Sequence, residues 1–538
     1  MNAEENSPSP AAPEPGDRRL VTKWFIRLLG VVHLCNFGSL AAQVQRCLGS
    51  DGLLPVQDYV RQIHAHAGWT VWDKLLECPS VFLWIPGDAW LIGGAWLGVI
   101  LAILTIGGFQ SRTCFAAMFV LYGSYIEVGQ ELYSFQWDYL ILETTFLAML
   151  LPNSGFCFRR WTRGADTLTI WLFQWLLFRL YIESGLAKLF WGPDTWATLD
   201  AMRRYYETAP IPTLLGWYAH ALPDSWHQFE TGATLAIELL GPALIFSGAW
   251  PRRIGFAIFS AFQIAIILTA NYGIFNYNTL CLHLFLLTDR DILAAFRWIP
   301  AIRGRPPDIS DVPRRPSRWM YPIAAVLIFA SIVEFMMLAG GRAAYQTVLA
   351  KYDRYIRATH ISSKYHLFGP IDPIRYEMVF EASPDGDTWV EYEFPCKAGD
   401  LRRPPPFVAP HHPRVDFRLW FERYPLRWQN NERPYPDASV SPAMLPAYVG
   451  KLCLQILAAP NLALRHFTGD PLNGYPPREV RITFYYYRMT RRGTEAAKSA
   501  YWEREKVGTV YVDPDLGQNG RPMAVPSRTT QHRSAPLQ

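Results

Sequence analysis

Lys188 and Glu183 stand in the run "YIESGLAKLFWGPDTW" (Tyr181 to Trp196), where apolar sequence of membrane type passes into an aromatic, charged loop. An ionisable side chain in a lipid span costs at least about 2.5–3.5 kcal/mol, so such residues face a cavity or one another. Glu127, Glu131, Asp138, Glu143 and Glu238 share that setting. On one helix, residues 183 and 188 are roughly 140° apart, so each needs a partner from another span. Two chemistries fit Lys188. Desolvation can lower its pKa and make it a general base in a polar cavity, with Glu183 beside it. Alternatively its ammonium snorkels to the interface near Trp191 and Trp196.

Other residues are candidates for the wall of such a cavity. The loop "DAMRRYYETAPIPTLLGWYAHALPDSWHQFET" carries Tyr206, Glu207 and His220, and suits either an interfacial aromatic belt or a lid. "NYGIFNYN" places Asn271 and Asn276 between two short apolar windows, as a wet cavity wall or a tight turn. His411 and His412 are adjacent in a Pro-rich loop and point in different directions in extended chain, so no metal site is expected. There is no G-x-S-x-G, H-E-x-x-H or Walker loop. No cofactor follows from the residues.

The elements that must position these groups are helices first. A chain of 538 residues that is 50% hydrophobic and 15% aromatic is heavy for a soluble protein, yet its mean hydropathy of +0.02 requires a sizeable polar portion. The net charge of +5 is spread over short loops, which excludes a nucleic-acid partner. Apolar windows long enough for the bilayer fall near 21–44, 81–108, 113–132, 136–152, 167–190, 229–249, 254–272, 274–288 and 319–340. The expected membrane part is therefore a polytopic α-helical bundle of about 7–9 spans over residues 18–344. Basic segments at Arg18–Lys23, Arg159–Arg163, Arg252–Arg253 and Arg297–Arg318 alternate with nine spans, which puts the N-terminus inside and the C-terminal domain outside. Loops 45–80 and 191–228 then lie outside, next to that domain.

From residue 345 to 511 the texture is that of a soluble, β-rich, sandwich-like domain. "YEMVFEASPDGDTWVEYEF" alternates around a Pro-Asp-Gly-Asp turn and predicts a hairpin. "REVRITFYYYRMT" predicts a strand, Met444 to Ala459 a helix, and Arg402 to Asp416 an extended Pro-rich loop. Residues 1–17 and 512–538 have the composition of a disordered lead and tail. The eight cysteines include no C-x-x-C; Cys396 and Cys453 either pair, if that half faces an oxidising compartment, or stay as buried thiols.

Several long motifs in one order resemble the lipase maturation factor family: "YYETAPIPTLLGWYAHALP", "FETGATLAIELLGP", "NYGIFNYNTL", "LFGPIDPIRYEMVFEAS" and "YEFPCKAGDLRRPPPFVAPHHPRVDFRLWF". The resemblance runs from about residue 20 to 490. It implies a multi-pass membrane protein that helps secreted lipases mature, without being an enzyme, through a domain in the lumen of the endoplasmic reticulum. With no N-glycosylation sequon and an Arg- and Pro-rich texture, a bacterial member with a periplasmic domain is expected. The client-contacting residues expected on this resemblance are Phe368, Arg402, Arg403, Phe407, His411, His412 and Trp420. "GSDGLLPVQDY" and "SGLAKLFWGPDTW" are similar, more distantly, to the membrane superfamily of the vitamin K-dependent γ-glutamyl carboxylase. That similarity carries the base of the carboxylase to Lys188 and gives the alternative function, a membrane enzyme using an intramembrane lysine.

Overall fold

The computed structural model describes residues 18–153, 164–295, 315–344, 349–422, 438–440 and 442–513. The expected disordered lead, nearly all of the tail, Cys157 and the basic segments 159–163 and 297–314 lie outside the described residues.

Each of the nine apolar windows holds a helix. They are α1 (Arg19–Ala41), α2 (Asp88–Gly107), α3 (Ser111–Val128), α4 (Gln136–Leu150) and α5 (Thr167–Trp191), then, after the short helices α6 (Ala201–Thr208) and α7 (Leu214–His220), α8 (Asp224–Leu239), α9 (Ala249–Thr269), α10 (Phe275–His283) and α11 (Met320–Ala344). Four are long and apolar enough to cross a membrane: Arg19–Ala41, Asp88–Gly107, Ala249–Thr269 and Met320–Gly340. The others fall short for different reasons. α5 rises about 37 Å, enough to cross, but it carries Arg179, Glu183 and Lys188. α10 rises only about 14 Å, under half of a hydrocarbon core.

Local sequence sets the ends of α5. Asp166 caps it by accepting the N–H groups of Leu168 (3.1 Å) and Thr169 (3.0 Å). Gly192 and Pro193 stop it, because proline has no N–H to continue the ladder. α9 and α11 turn Ile254, Ile258, Ile264, Val326, Phe329 and Ile332 outward, a bare apolar face of the kind lipid covers.

Among its described residues the C-terminal part forms one five-stranded sheet in the order β2-β1-β4-β5-β3, where a sandwich is expected. β1 (Arg375–Ser383) and β2 (Val390–Tyr392) form the predicted hairpin, and its turn is closed by Asp385, which accepts from the N–H groups of Asp387 (2.9 Å) and Thr388 (2.7 Å). β4 (Glu479–Met489) is the predicted strand and lies between β1 and β5 (Trp502–Val512). β3 (Ala438–Val440) adds a short parallel edge. The Pro-rich loop leads into α12 (Arg414–Leu419), and the predicted helix is α13 (Ala447–Ala458), packed on β4. Cys396 and Cys453 are both free thiols.

The two parts share one core. A continuous apolar cluster runs from Val21 and Phe25 in α1 to Phe417, Tyr448 and Ile482. The C-terminal domain sits where α1, α5 and α9 end and α4 and α8 begin. Both predicted flanking loops touch it: Arg46 donates to the Arg465 carbonyl (2.7 Å), Gln455 to the Asp51 carbonyl (2.8 Å), and Trp217 to Thr490 (3.1 Å).

Candidate functional site

The ionisable residues of the helical part converge on the start of the C-terminal domain. Arg179, one turn before Glu183 on α5, donates to Glu183 (3.0 Å) and to Glu143 of α4 (2.7 Å), and also reaches the Ser363 carbonyl. The far oxygens of both carboxylates then hold the chain at Tyr365: Glu183 accepts its N–H (2.9 Å) and Glu143 its hydroxyl (2.7 Å). Lys188, 0% exposed, pairs with Glu238 of α8 at 2.7 Å and donates to the Leu367 carbonyl at 2.8 Å. Its ammonium also lies 5.0 Å from the Trp196 ring and 5.8 Å from that of Phe368. Glu143 also accepts the Ser363 N–H (3.2 Å), so residues 363–368 form a strap whose backbone is held by four buried charges of the helical part.

A second anchor lies at the start of α4. Asp138 and Arg414 make a bidentate pair at 2.7 and 2.8 Å, and the Tyr122 hydroxyl donates to Asp138 (2.5 Å) while accepting from Arg414 (3.1 Å). Around it the Pro-rich loop is tied down residue by residue. Asn271 accepts from Val408 (2.8 Å) and Ala409 (2.9 Å) and donates to the Pro406 carbonyl (2.9 Å). Ser39 meets His411 Nδ1 (2.9 Å), and Gln43 donates to the His412 carbonyl (2.7 Å). The His412 ring packs among Phe135, Trp137 and Phe417, and burial holds it well below the usual histidine range.

The third feature is a cleft of about 670 Å³ between α6–α7 and the ends of β4 and β5, with Arg203, Arg204, Glu207, His220, Arg488 and Arg491 in its wall. Burial, with Arg491 and His227 nearby, brings His220 down to about 4, and burial raises the Glu207 carboxyl. Glu207 accepts the Met489 N–H (3.0 Å), so it fixes β4 as well as lining the cleft.

A model of the lipase maturation factor transmembrane domain matches residues 20–294, and one of the lipase maturation factor C-terminal domain matches residues 361–512. The chain belongs to the lipase maturation factor family. Relatives include lipase maturation factor 1 of Bos taurus, 29% identical over 94% of this chain and 93% of that protein. Lipase maturation factor 1 of Homo sapiens is 27% identical over 94% and 91%, and lipase maturation factor 2 of Mus musculus 26% over 93% and 84%. No solved structure matches the chain.

The residues singled out from the sequence fall into four groups in this lipase maturation factor family member. Lys188 and Glu238 pair at the joint between the two parts, where Glu183 holds Tyr365 and Asn271 separately holds the Pro-rich loop. Asn276 is inside the bundle, donating to Gln263 (2.7 Å). Glu207 and His220 share the cleft, with Tyr206 buried behind them against Glu230 (2.9 Å). Of the expected client contacts, Arg402 and Phe407 (56% exposed) are open to solvent, Phe368, Arg403, His411 and Trp420 are half-buried, and His412 is enclosed. Among the described residues no group of three or more His, Cys, Asp or Glu can hold a metal. The sequence reading missed Arg179 and Arg414. An arginine inside the apolar run "LLFRLYIES" was the available signal for the first; nothing local marks the second, whose partner is 276 residues away.

Proposed function

We propose that this protein is a membrane-anchored maturation factor for secreted lipases, working through its C-terminal domain rather than through catalysis. The observation that carries this is similarity to lipase maturation factors over nearly the full length of both proteins, C-terminal domain included. On this reading the protein is multi-pass, with its N-terminus inside and the domain from 345 to 511 on the extracytoplasmic face, periplasmic in a bacterial host. The client is a lipase, met by the exposed part of the Pro-rich loop, with Arg402 and Phe407 as its outermost residues.

The alternative, chemistry at Lys188, requires a neutral amine within reach of a substrate. The ammonium is instead enclosed, paired with a carboxylate and bonded to a backbone carbonyl. That setting favours a clamp. The test is secretion of active lipase by cells lacking their own maturation factor and supplied with this chain. Arg402→Glu combined with Phe407→Ser should lower lipase activity at unchanged membrane abundance of the factor; full activity from that variant would remove this surface from the mechanism.

A further inference from the structure

The arginine-walled cleft is the feature that neither the strap nor the Pro-rich loop uses. Its position is set by α9, whose apolar length suits a membrane crossing. At the end of α9, Pro212 bridges Ala270, Thr213 donates to the Thr269 carbonyl (3.1 Å), and Asn271 donates to the Ile211 carbonyl (3.0 Å). α7 therefore begins level with the end of a span, at the membrane surface. α7 and the start of α8 expose Leu214, Leu215, Tyr218, Leu222, Trp226 and Phe229, an apron of the amphipathic kind found at headgroup depth. His220, the last residue of α7, is already in the cleft wall, and Arg492 lies 5.2 Å from the Tyr218 ring. Apron and cleft wall thus share α7.

The charges in and around the cleft are mixed. Arg203 and Arg204 both hold Asp200, Arg491 is 3.7 Å from Asp224, and the Arg488 guanidinium lies 4.6 Å from the Tyr486 ring. Glu207 and Glu503 are in the same wall. Guanidinium forks match phosphate oxygens in geometry as well as charge. The carboxylates oppose a purely acidic polypeptide but suit a ligand that carries a cation next to its phosphate. The cleft volume is within the range of small-ligand sites. We infer that the cleft seats the headgroup of one bilayer aminophospholipid, with the phosphodiester on Arg204, Arg488 and Arg491, the ammonium toward Glu207 and Glu503, and the acyl chains along the α7–α8 apron.

The test titrates dioleoyl phosphatidylethanolamine into the full chain in detergent micelles, reading tryptophan fluorescence and the lipid retained in native mass spectrometry. One retained lipid per chain with saturable binding is expected. Arg488→Ala and Arg491→Ala should each weaken it about tenfold, the loss of one charge-assisted contact, with the lipid-free melting temperature unchanged because both side chains are exposed. Arg488→Lys should fall between wild type and Arg488→Ala. Equal binding of dioleoylglycerol would overturn the inference by showing that only the apron matters. Binding of inorganic phosphate alone with the same affinity, or displacement by polyglutamate, would also overturn it, in favour of a soluble anion or a polypeptide. Undiminished binding by Arg488→Ala/Arg491→Ala would exclude the cleft itself.

Discussion

Lys188 and Glu238 illustrate what a buried charge can do when it is paired. Removing one partner of such a pair leaves the other desolvated and costs about 3–5 kcal/mol, whereas an apolar pair of similar volume is often tolerated. Lys188→Met alone and Glu238→Leu alone are therefore expected to lower the melting temperature of the full chain in detergent sharply, and the double change to recover most of the loss. A double variant no better than the worse single one would show that the pair does more than fill and neutralise its site. His412 gives a pH prediction. Its folded pKa is well below the ordinary value near 6.5, so from about pH 6.5 downward the unfolded chain binds more protons than the folded one. Stability from this group is complete above that pH and falls on acidification. His220, held at about 4, acts in the same direction between about 6.5 and 4. The melting temperature of His412→Gln should depend less steeply on pH between 7 and 5 than that of wild type, and an unchanged slope would mean that the folded ring takes up its proton as readily as the unfolded one.

At the scale of elements, the strap and the Pro-rich loop carry the fold's long-range order. The bidentate Arg414–Asp138 pair depends on the planar fork of arginine, so Arg414→Lys keeps the charge but loses one of two bonds and the match to Tyr122. We expect it to destabilise the chain by about 1–3 kcal/mol and to speed limited proteolysis around residues 400–420; wild-type protection would show that the charge alone suffices. Much of this level was legible in the sequence. All nine apolar windows hold helices because hydrophobic length is a strong signal, and the hairpin around Asp385 and Gly386 follows from turn chemistry and alternation. The single sheet was not legible, since alternation marks strands without saying how they layer. The partners of Glu183 and Lys188 were only half legible. Their spacing shows that they do not pair, but the Glu183 partner Arg179 is one turn away on the same helix, where another span is expected to supply it. Glu238 instead reaches Lys188 through helix packing and the Leu367 carbonyl through the chain's return, neither of which is written locally.

For the whole molecule, the helical part and the C-terminal domain form one unit, joined by a continuous core and by buried charges that each part leaves unsatisfied in the other's absence. A chain ending at residue 344 would strand Asp138, Glu143 and Arg179 without their partners from the C-terminal domain, so it is expected to accumulate poorly in membranes; abundance equal to wild type would contradict the shared core. Function is thus better probed by substitution than by deletion. On the proposed reading, Lys188 and Glu238 are a neutralised structural filling of the joint, and the exposed C-terminal surface acts on the client. The most direct test is lipase activity secreted per amount of factor in the membrane, for the Lys188→Met/Glu238→Leu chain. Near-wild-type activity is predicted, because the apolar pair keeps the joint closed. Loss of activity at normal abundance and melting temperature would contradict the account and place chemistry at Lys188.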